Sequence, residues 1–336
     1  MKQNPVAASL KKGGISVNYD RIREILTRLL SGTMSRRDFI RVHAGSALAA
    51  AAGIPFLKPT ISQAANIPDI AVVTGTPGAA VRAAVDMLGG ISSFVKKGSR
   101  VVIKPNMSFA RGPESATNTN PEVVRELVAL CRQAGAARIR VLDHPLRKDD
   151  QCIRDIRDAC SIYGNDIVHA LNDREFYRET AIPKGRSLKS TEVMKDVLEA
   201  DVLIAAPVAK SHGSTGVSLS MKGMMGLIWS RGVLHYLYDL NQSIVDMCTI
   251  LKPHLVVIDG TRVLSTNGPG GPGKVLKMDT VIASRDMVAA DAQATALFEW
   301  YGRNMEPRQV THIRLAHEQA LGRMDITALN VQKKTA

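Results

Sequence analysis

The stretch PVAKSHGSTGVSLSMKGMMG, residues 207–226, combines side chains that bind anions with glycines that let a backbone approach a ligand. Lys210 and Lys222 can neutralise negative charge, and His212 can act as a general acid–base or as a metal ligand. Glycines in such a segment expose backbone N–H donors. We therefore predict that Lys210, His212 and Lys222 are catalytic. The alternative is a surface loop that packs its methionines onto the core or onto a partner.

Ionisable or amide side chains also follow other apolar runs of the chain, where predicted strands end. In an open parallel sheet, ligands bind beyond the carboxyl ends of the strands, so we expect these side chains at one edge of the sheet. The predicted ligand-binding residues are Lys104, Asn106, Gly213, Gly216, Gly223 and His235. The predicted ligands of a divalent metal are the carboxylates Asp143, Asp259 and Asp286. For each residue alone, a helix cap or an ordinary ion pair is the alternative.

The lysines lead to a structural expectation. Three lysines around one space repel one another unless an anion or carboxylates offset their charge. We therefore expect Lys210, His212 and Lys222 to face one ligand space together with Lys104 and Asp259, and we expect Asp143, Asp259 or Asp286 close to the lysines. Lysines scattered over separate faces would leave residues 207–226 as a packing loop.

The segments that carry these residues alternate between strands and helices from Ile70 onward. The predicted strands are rich in valine and isoleucine without clean alternation, which is typical of strands buried on both faces. One helix is well delimited, because Asn120 is a good N-cap, Pro121 suits the first helical position and Gly135 suits the end. The pattern predicts an α/β fold, a mostly parallel sheet with helices on both faces in a single large domain. Residues 172–190 are polar and interrupt it, as an insertion or a small β excursion.

The segment GPGGPGKV, residues 268–275, fits the spacing of a nucleotide-binding P-loop but lacks its chemistry. Val275 stands where a serine or threonine would bind magnesium, and Pro269 and Pro272 remove N–H donors that would hold phosphate. We interpret the segment as a turn or a lid whose glycines permit movement.

The first 64 residues have the layout of a twin-arginine export signal. Arg36 and Arg37 precede an Ala/Gly-rich apolar stretch, residues 44–57, and small side chains at positions 62 and 64 suit a cleavage site. We therefore divide the chain into a signal, residues 1–64, and an α/β domain, residues 65–336. The predicted location is the periplasm, and the predicted partner is the twin-arginine translocation machinery. No stable membrane span is expected in the mature chain, because the apolar stretch is too short. An Ala-rich helix with a basic cap is the alternative.

Composition narrows the partners and cofactors. The formal net charge of +13 suggests a polyanion partner, but residues 1–64 hold ten Lys/Arg against three Asp/Glu and so carry over half of the excess. Because aromatic residues make up only 4%, stacking platforms are scarce and no nucleic acid is expected. The four cysteines contain no C-x-x-C pair, which disfavours an iron–sulfur cluster. We interpret them as buried free thiols, with a Cys152–Cys160 disulfide as the alternative.

Several of these motifs occur in the same order in a known family. The sequence resembles domain-of-unknown-function family 362 in five segments between Val101 and Gly322, which are VVIKPNM, NTNPEVVRELVALCRQAGA, DVLIAAPVAKSHGSTGVSLSMKGMMG, HLVVIDG and VIASRDMVAADA. The family's name states no activity, so the resemblance implies a shared site at the strand ends but no substrate. Some members look like iron–sulfur proteins because they carry ferredoxin-type cysteine runs, which this sequence lacks. The resemblance therefore implies a connection to iron–sulfur or redox systems rather than a cluster in this chain.

Two functions compete on these observations. The first is an exported enzyme with a metal- or anion-binding site at the carboxyl edge of the sheet, where lysines stabilise developing negative charge and His212 transfers a proton. Its cofactor is unknown, and a divalent metal is the candidate that the carboxylates suggest. The second is a non-catalytic periplasmic binding or maturation protein, which holds a small anionic ligand or serves a redox partner. An electron carrier is a third reading, which the cysteine pattern disfavours.

Overall fold

The structure, a computed structural model, describes residues 67–146 and 150–336. The predicted twin-arginine signal lies outside these residues. The described residues form a single α/β domain and belong to one compact unit of the chain, Gln63–Ala336. Among them, no helix is long and apolar enough to cross a membrane.

The described residues contain fourteen strands, and ten of them form a central sheet. In chain order the strands are β1 Ile70–Thr74, β2 Arg100–Pro105, β3 Arg138–Asp143, β4 Val168–Ala170, β5 Tyr177–Ala181, β6 Ser190–Met194, β7 Val202–Ala206, β8 Val208–His212, β9 Gly216–Ser218, β10 Leu255–Leu264, β11 Val275–Ser284, β12 Glu299–Trp300, β13 Arg303–Asn304 and β14 Val331–Thr335.

Eight α-helices lie between these strands in the described part of the chain, and a short 3₁₀ helix spans Arg231–His235. In chain order the α-helices are α1 Pro77–Met87, α2 Pro121–Gln133, α3 Arg154–Cys160, α4 Lys195–Glu199, α5 Ser220–Gly223, α6 Leu240–Cys248, α7 Met287–Leu297 and α8 Thr311–Glu318.

The central sheet is mostly parallel. Its main order is β14-β1-β11-β10-β7-β2-β3-β4, and β8 pairs with β10 beyond the end of β7. The pairs β10–β7, β7–β2, β2–β3 and β3–β4 are all parallel, so these strands end at the same edge. In the main order, β11 is the strand that runs against its neighbours, because it pairs antiparallel with both β1 and β10.

Both faces of the sheet are buried under helices. In β7, Val202 and Ile204 belong to the apolar cluster that includes α1, α2 and α3. Leu203 and Ala205, on the opposite face, belong to the cluster that includes α5, α6, α7 and α8. Since neither face meets water, the strand needs no polar alternation, which explains its uniformly apolar sequence.

Helix α2 begins and ends where the sequence predicts. Asn120 is its N-cap, and the side-chain oxygen accepts a hydrogen bond from the backbone N–H of Glu122 at 3.1 Å. Pro121 is the first helical residue, and Gly135 follows the C-cap with a φ of 81° that favours glycine. The polar interruption is also explained, because it contains the start of the separate hairpin β5–β6.

Other predicted elements are shorter or different in the structure. Sequence periodicity predicts a helix over residues 234–251, but only α6 is α-helical there, because the chain up to His235 forms the 3₁₀ helix instead. The segment EVMKDVLEA, residues 192–200, also predicts a helix, but Ser190–Met194 pairs as strand β6 and only α4 is helical. All four cysteines are buried, and Cys160 is a free thiol, so the Cys152–Cys160 disulfide does not form.

The glycine- and lysine-rich stretch 207–226 is neither a loop nor exposed. It forms strand β8, a tight turn, strand β9 and the single-turn helix α5, and most of its side chains are buried. Its methionines, Met221, Met224 and Met225, lie in the apolar cluster that covers one face of the sheet. The methionines therefore provide packing, and the lysines are held between this packing and the end of the sheet.

Candidate functional site

A cavity of about 410 Å³ lies at the carboxyl edge of the sheet, beside the ends of β2, β3 and β8. Its charged and polar walls are formed by Lys104, Asn106, Ser108, Asp143, Lys210, His212, Ser218, Lys222, Arg231 and His235. Its apolar walls are formed by Phe109, Leu146, Met225, Tyr236 and Pro269. The three lysines singled out from the sequence thus lie around one space, and one carboxylate, Asp143, lies with them.

Lys104 and Asp143 form a buried ion pair at the inner end of the cavity. The Lys104 Nζ lies 3.1 Å from Asp143 Oδ1, and both side chains are almost fully buried. Although burial raises the pKa of Asp143, the charges of Lys104 and Arg231 hold it below its ordinary value. The carboxylate also accepts hydrogen bonds from the backbone N–H groups of Met107 and His144, each at 2.9 Å. Asp143 therefore anchors Lys104 and the chain beyond β2, and its oxygens are already occupied.

Gly226 makes this ion pair sterically possible. A Cβ atom at this position would lie 2.2 Å from Asp143 Oδ1 and 2.6 Å from Lys104 Cε. Contacts this short do not occur between real atoms, so any side chain here would displace the pair. Glycine is therefore required at position 226, where the backbone packs directly against two charged groups.

Lys210 is almost fully buried in the cavity wall, although an exposed lysine would be charged. Its Nζ donates a hydrogen bond to the backbone oxygen of Thr117 and lies 4.9 Å from the centroid of the Phe109 ring. Burial, together with the nearby positive charges of Lys104 and Lys222, lowers the pKa of Lys210 to about 7. Its amine is therefore close to half protonated at neutral pH, which is the condition for an effective acid–base group.

Lys222 has no hydrogen-bond partner for its Nζ among the described residues. Burial, and then the positive charge of Arg231, lowers the pKa of Lys222 to about 8. The helix that carries it, α5, is held at its N-terminus by Asp291, which accepts hydrogen bonds from the backbone N–H groups of Ser220 and Met221 at 2.8 and 2.9 Å. An unpaired buried amine at the wall of a cavity is a group that a bound anion would satisfy.

Three histidines, His212, His235 and His312, lie near Lys222, and burial together with the charge of Lys222 lowers the pKa of each. Burial lowers the pKa of His212 to about 3, and its Nδ1 accepts a hydrogen bond from the backbone N–H of Ser214 at 3.2 Å. The rings of His212 and His235 are stacked, with centroids 6.1 Å apart. Burial also lowers the pKa of His312 to about 3. His312 is fully buried in α8, and neither ring nitrogen has a hydrogen-bond partner within the described part of the chain.

Arg231 adds a fourth cation that the sequence pattern did not single out. Its guanidinium donates a hydrogen bond to the backbone oxygen of His144, next to Asp143. Burial lowers its pKa, and the charge of Asp143 acts in the opposite direction. Arg231 does not follow a predicted strand, so its sequence context contained no signal. The same holds for His312, which stands in an ordinary helical pattern.

Asn106 and the glycine-rich loop 265–274 complete the walls. The side-chain oxygen of Asn106 accepts a hydrogen bond from the backbone N–H of Val208 at 2.9 Å and so ties the end of β2 to the start of β8. The loop joins β10 to β11, and the backbone N–H of Gly268 donates to Ser211 Oγ at 2.9 Å. This contact brings Pro269 to the cavity wall, so the predicted turn or lid is a wall of the cavity.

Several predicted site residues lie elsewhere. Gly213 and Gly216 line a separate cavity of about 310 Å³, with Asn241, Tyr301 and Arg303. Gly223 does line the cavity with the lysines, as do Asn106 and His235.

The expected position of Asp286 is wrong. Because β11 runs antiparallel to β10, its carboxyl end lies beside the start of β10, at the opposite edge of the sheet. There Asp286 is the N-cap of α7 and accepts hydrogen bonds from the backbone N–H groups of Val288 and Ala289. The alternative of an ordinary helix cap is therefore correct for this residue.

Asp259 is also not a wall of the cavity. It is buried, and its carboxylate accepts hydrogen bonds from the backbone N–H of Asn120 at 2.7 Å and from the hydroxyl of Thr261 at 2.6 Å. Burial raises its pKa, and these bonds act against that rise. Asp259 thus holds the start of helix α2. The three carboxylates do not form the predicted metal site, and no set of three His, Cys, Asp or Glu side chains suited to a metal occurs among the described residues.

The cavity is electrostatically positive. Lys104, Lys210, Lys222 and Arg231 face it, whereas Asp143 is the one carboxylate among the described residues of its wall. Because Asp143 is paired with Lys104, no carboxylate of the wall offsets the positive charges of Lys222 and Arg231. Such an arrangement is self-repelling until an anion enters.

Comparison with known proteins identifies a family model and a relative that match this chain. A family model described as "Domain of unknown function (DUF362)" matches residues 101–296. The chain is 26% identical over 233 residues to the thylakoid-associated protein sll1697 of Synechocystis sp., and the match covers 66% of this chain and 70% of that protein.

Among solved structures, the lactate racemase apoprotein from Thermoanaerobacterium thermosaccharolyticum is similar to this chain with a TM-score of 0.40 and 15% sequence identity. The match covers 64% of this chain and 53% of that one, so the chain spans about half the length of the racemase structure. A similarity at this level carries no argument about activity.

Proposed function

We propose that this chain, which belongs to domain-of-unknown-function family 362, is an exported enzyme. It binds a small organic anion in the lysine-lined cavity and exchanges a proton at a carbon atom of that anion. The ligand class is a carboxylate or a phosphate monoester. The observation that carries the proposal is the excess of cations, four against one carboxylate, around a single cavity. The proposal of export rests on the sequence of residues 1–64.

The cationic groups divide into two kinds. Lys104 is locked in its ion pair with Asp143, and Arg231 is hydrogen-bonded to the backbone, so these two provide fixed positive charge. Lys210 and Lys222 have pKa values of about 7 and about 8, so they can exchange protons near neutral pH. A fixed charge orients an acid group, and a group with a pKa near the working pH moves a proton.

His212 fits the role of a neutral hydrogen-bonding group in this scheme. Its Nδ1 accepts from the backbone of Ser214, so the proton of the neutral ring is on Nε2. A neutral imidazole can donate a hydrogen bond to an anion without adding a charge to the cationic wall. We therefore propose Lys210 and Lys222 as the proton-transfer groups and His212 as a donor that orients the ligand.

Binding is tested on the full chain by titration calorimetry with phosphate, acetate, lactate and succinate as probes. At least one probe should bind, and Lys222→Met should weaken that binding about tenfold or more, because a charge-assisted hydrogen bond is lost. Lys184→Met, at an exposed lysine away from the cavity, is the matched control and should bind as the wild type does. Absence of binding by every probe, or equal effects of the two substitutions, would contradict the proposal.

Proton transfer is tested separately from binding. A bound acid is incubated with the protein in D₂O, and mass spectrometry follows the entry of deuterium at carbon positions of the acid. Deuterium should enter with the wild type and should not with Lys210→Met. Binding without exchange would leave the anion site in place and favour the second function, a non-catalytic periplasmic binding protein.

A further inference from the structure

Two of the residues that line the lysine-lined cavity, Leu146 and Tyr236, are exposed apolar side chains, and Tyr236 has exposed apolar neighbours in the chain. Tyr236 is 88% exposed, Leu237 75% and Leu146 59%. Val233 and Tyr238, from the same segment as Tyr236, are also exposed. A single exposed apolar side chain needs no explanation, but two of them on the wall of one cavity, beside further exposed apolar residues of the chain, are typical of a binding surface.

The cavity changes character from its inner end to its mouth. Inside, the ammonium groups of Lys104, Lys210 and Lys222 are buried. The apolar wall begins directly beside them, because the Phe109 ring lies 4.9 Å from Lys210 Nζ. At the outside, Leu146 and Tyr236 line the same space and are largely exposed.

The change from charged inner walls to apolar outer walls matches an amphiphile, a molecule with a charged head group and an apolar tail. We propose, on the basis of the anion-binding function above, that the ligand carries an acid head group that binds at Lys210 and Lys222 and an apolar chain or ring that leaves past Phe109, Leu146 and Tyr236. The charge of the inner wall selects the head group. The apolar mouth then loses its contact with water when the chain lies against it, which favours binding.

Two sources present this chemistry, a free amphiphilic acid in solution and an acidic lipid in a membrane surface. Val233, Leu237 and Tyr238 are exposed on either side of Tyr236 in the chain and would contact either one. A polar anion such as phosphate would use only the inner end and would leave the apolar mouth uncovered.

The test measures affinity along two series of ligands by titration calorimetry on the full chain. The first contains saturated carboxylates of two, four, six and eight carbons, and the second contains methyl, butyl and hexyl phosphate. We expect the affinity to rise by up to about fourfold for each added methylene group, which is the gain for complete burial of that group. The gain should shrink once the chain extends past Tyr236.

The variants Tyr236→Ser and Leu146→Ser should lower the affinity for octanoate or hexyl phosphate severalfold and leave the affinity for acetate or methyl phosphate unchanged. Both side chains are exposed, so these substitutions should not impair folding. Ile162→Ser is the matched control, because Ile162 is 69% exposed and does not line the cavity.

The outcomes separate this inference from the proposed function. If the short anions bind and longer chains bind no more tightly, the amphiphile is wrong and the anion site stands. If no anion of either series binds, the proposed function itself fails. Sedimentation with vesicles of anionic and of neutral phospholipid identifies the source: retention on anionic vesicles that Tyr236→Ser abolishes supports a membrane lipid, and a chain-length gain without retention supports a free acid.

Discussion

The amines of Lys210 and Lys222 are buried beside other positive charges, and this environment lowers their pKa values. Both side chains have an ordinary pKa of 10.5, which burial lowers to about 7 and about 8. In the empty cavity these amines are therefore partly neutral at pH values where an exposed lysine is charged. A bound anion favours the charged form, so binding and protonation are coupled.

Anion binding should therefore take up protons and weaken as the pH rises. Above a pH of about 7 to 8 the free lysines lose their protons, and each must regain one before it can pair with the anion. Titration calorimetry at pH 7 and at pH 9.5, in two buffers with different heats of ionisation, measures the affinity and the number of protons taken up. The Lys222→Met variant should take up fewer protons than the wild type. An affinity that stays constant over this pH range would contradict the coupling.

Gly226 should tolerate no side chain, because the Lys104–Asp143 pair occupies the space of a Cβ atom. We expect Gly226→Ala to lower the free energy of unfolding by about 1–3 kcal/mol, the usual cost of forcing atoms into a packed site. Gly232→Ala is the matched control, since Gly232 also lines the cavity but a Cβ atom there would meet no atom within 4 Å. Urea denaturation measures both, and equal stability of the two variants would contradict the steric argument.

At the scale of elements, helix α5 depends on a carboxylate from another helix. Asp291 of α7 is fully buried and holds the N-terminus of α5, and α5 carries Lys222. Burial raises the pKa of Asp291 from 3.8 to about 7, against the effect of its hydrogen bonds to Ser220 and Met221. The folded protein therefore keeps a proton on Asp291 over a pH range in which the unfolded chain has released it.

This carboxyl group should make the protein less stable as the pH rises from about 4 to about 7, because proton release is easier from the unfolded chain. His212 and His312 act in the opposite direction, since burial lowers their pKa values to about 3. The comparison of the wild type with Asp291→Asn by urea denaturation at each pH cancels the histidine contributions. The wild type should lose stability relative to the variant between pH 4 and pH 7. A relative gain would contradict the assignment.

At the scale of the whole molecule, the sequence of residues 1–64 predicts export through the twin-arginine pathway. Changing both Arg36 and Arg37 to Lys should block export and leave a folded protein in the cytoplasm, because the arginine pair is the feature that the translocase recognises. Cell fractionation and immunoblotting measure the distribution. The wild-type chain in a strain without the translocase is the control. A periplasmic pool in that strain, or export of the double variant, would show that the signal assignment is wrong.

The local features of this protein could be predicted from its sequence. The cap at Asn120, the apolar strands and the alternation of strands with helices are decided by short-range backbone preferences and by periodicity. They predicted an α/β fold with a sheet covered on both faces. They also predicted that Lys104, Asp143 and Lys210 lie close together, because the ends of parallel strands meet at one edge of the sheet.

Features that depend on distant contacts were decided by the tertiary structure alone. The direction of β11 put Asp286 at the wrong edge for a shared site, since the loop after β10 returns as a hairpin rather than through a helix. Arg231 and His312 reach the lysines only because separate elements pack around them. Sequence periodicity reports which residues are buried, but it carries no information on which side of the sheet the chain returns. That direction decides which groups each carboxylate contacts. It therefore also decides that the cavity suits an anion rather than a metal ion.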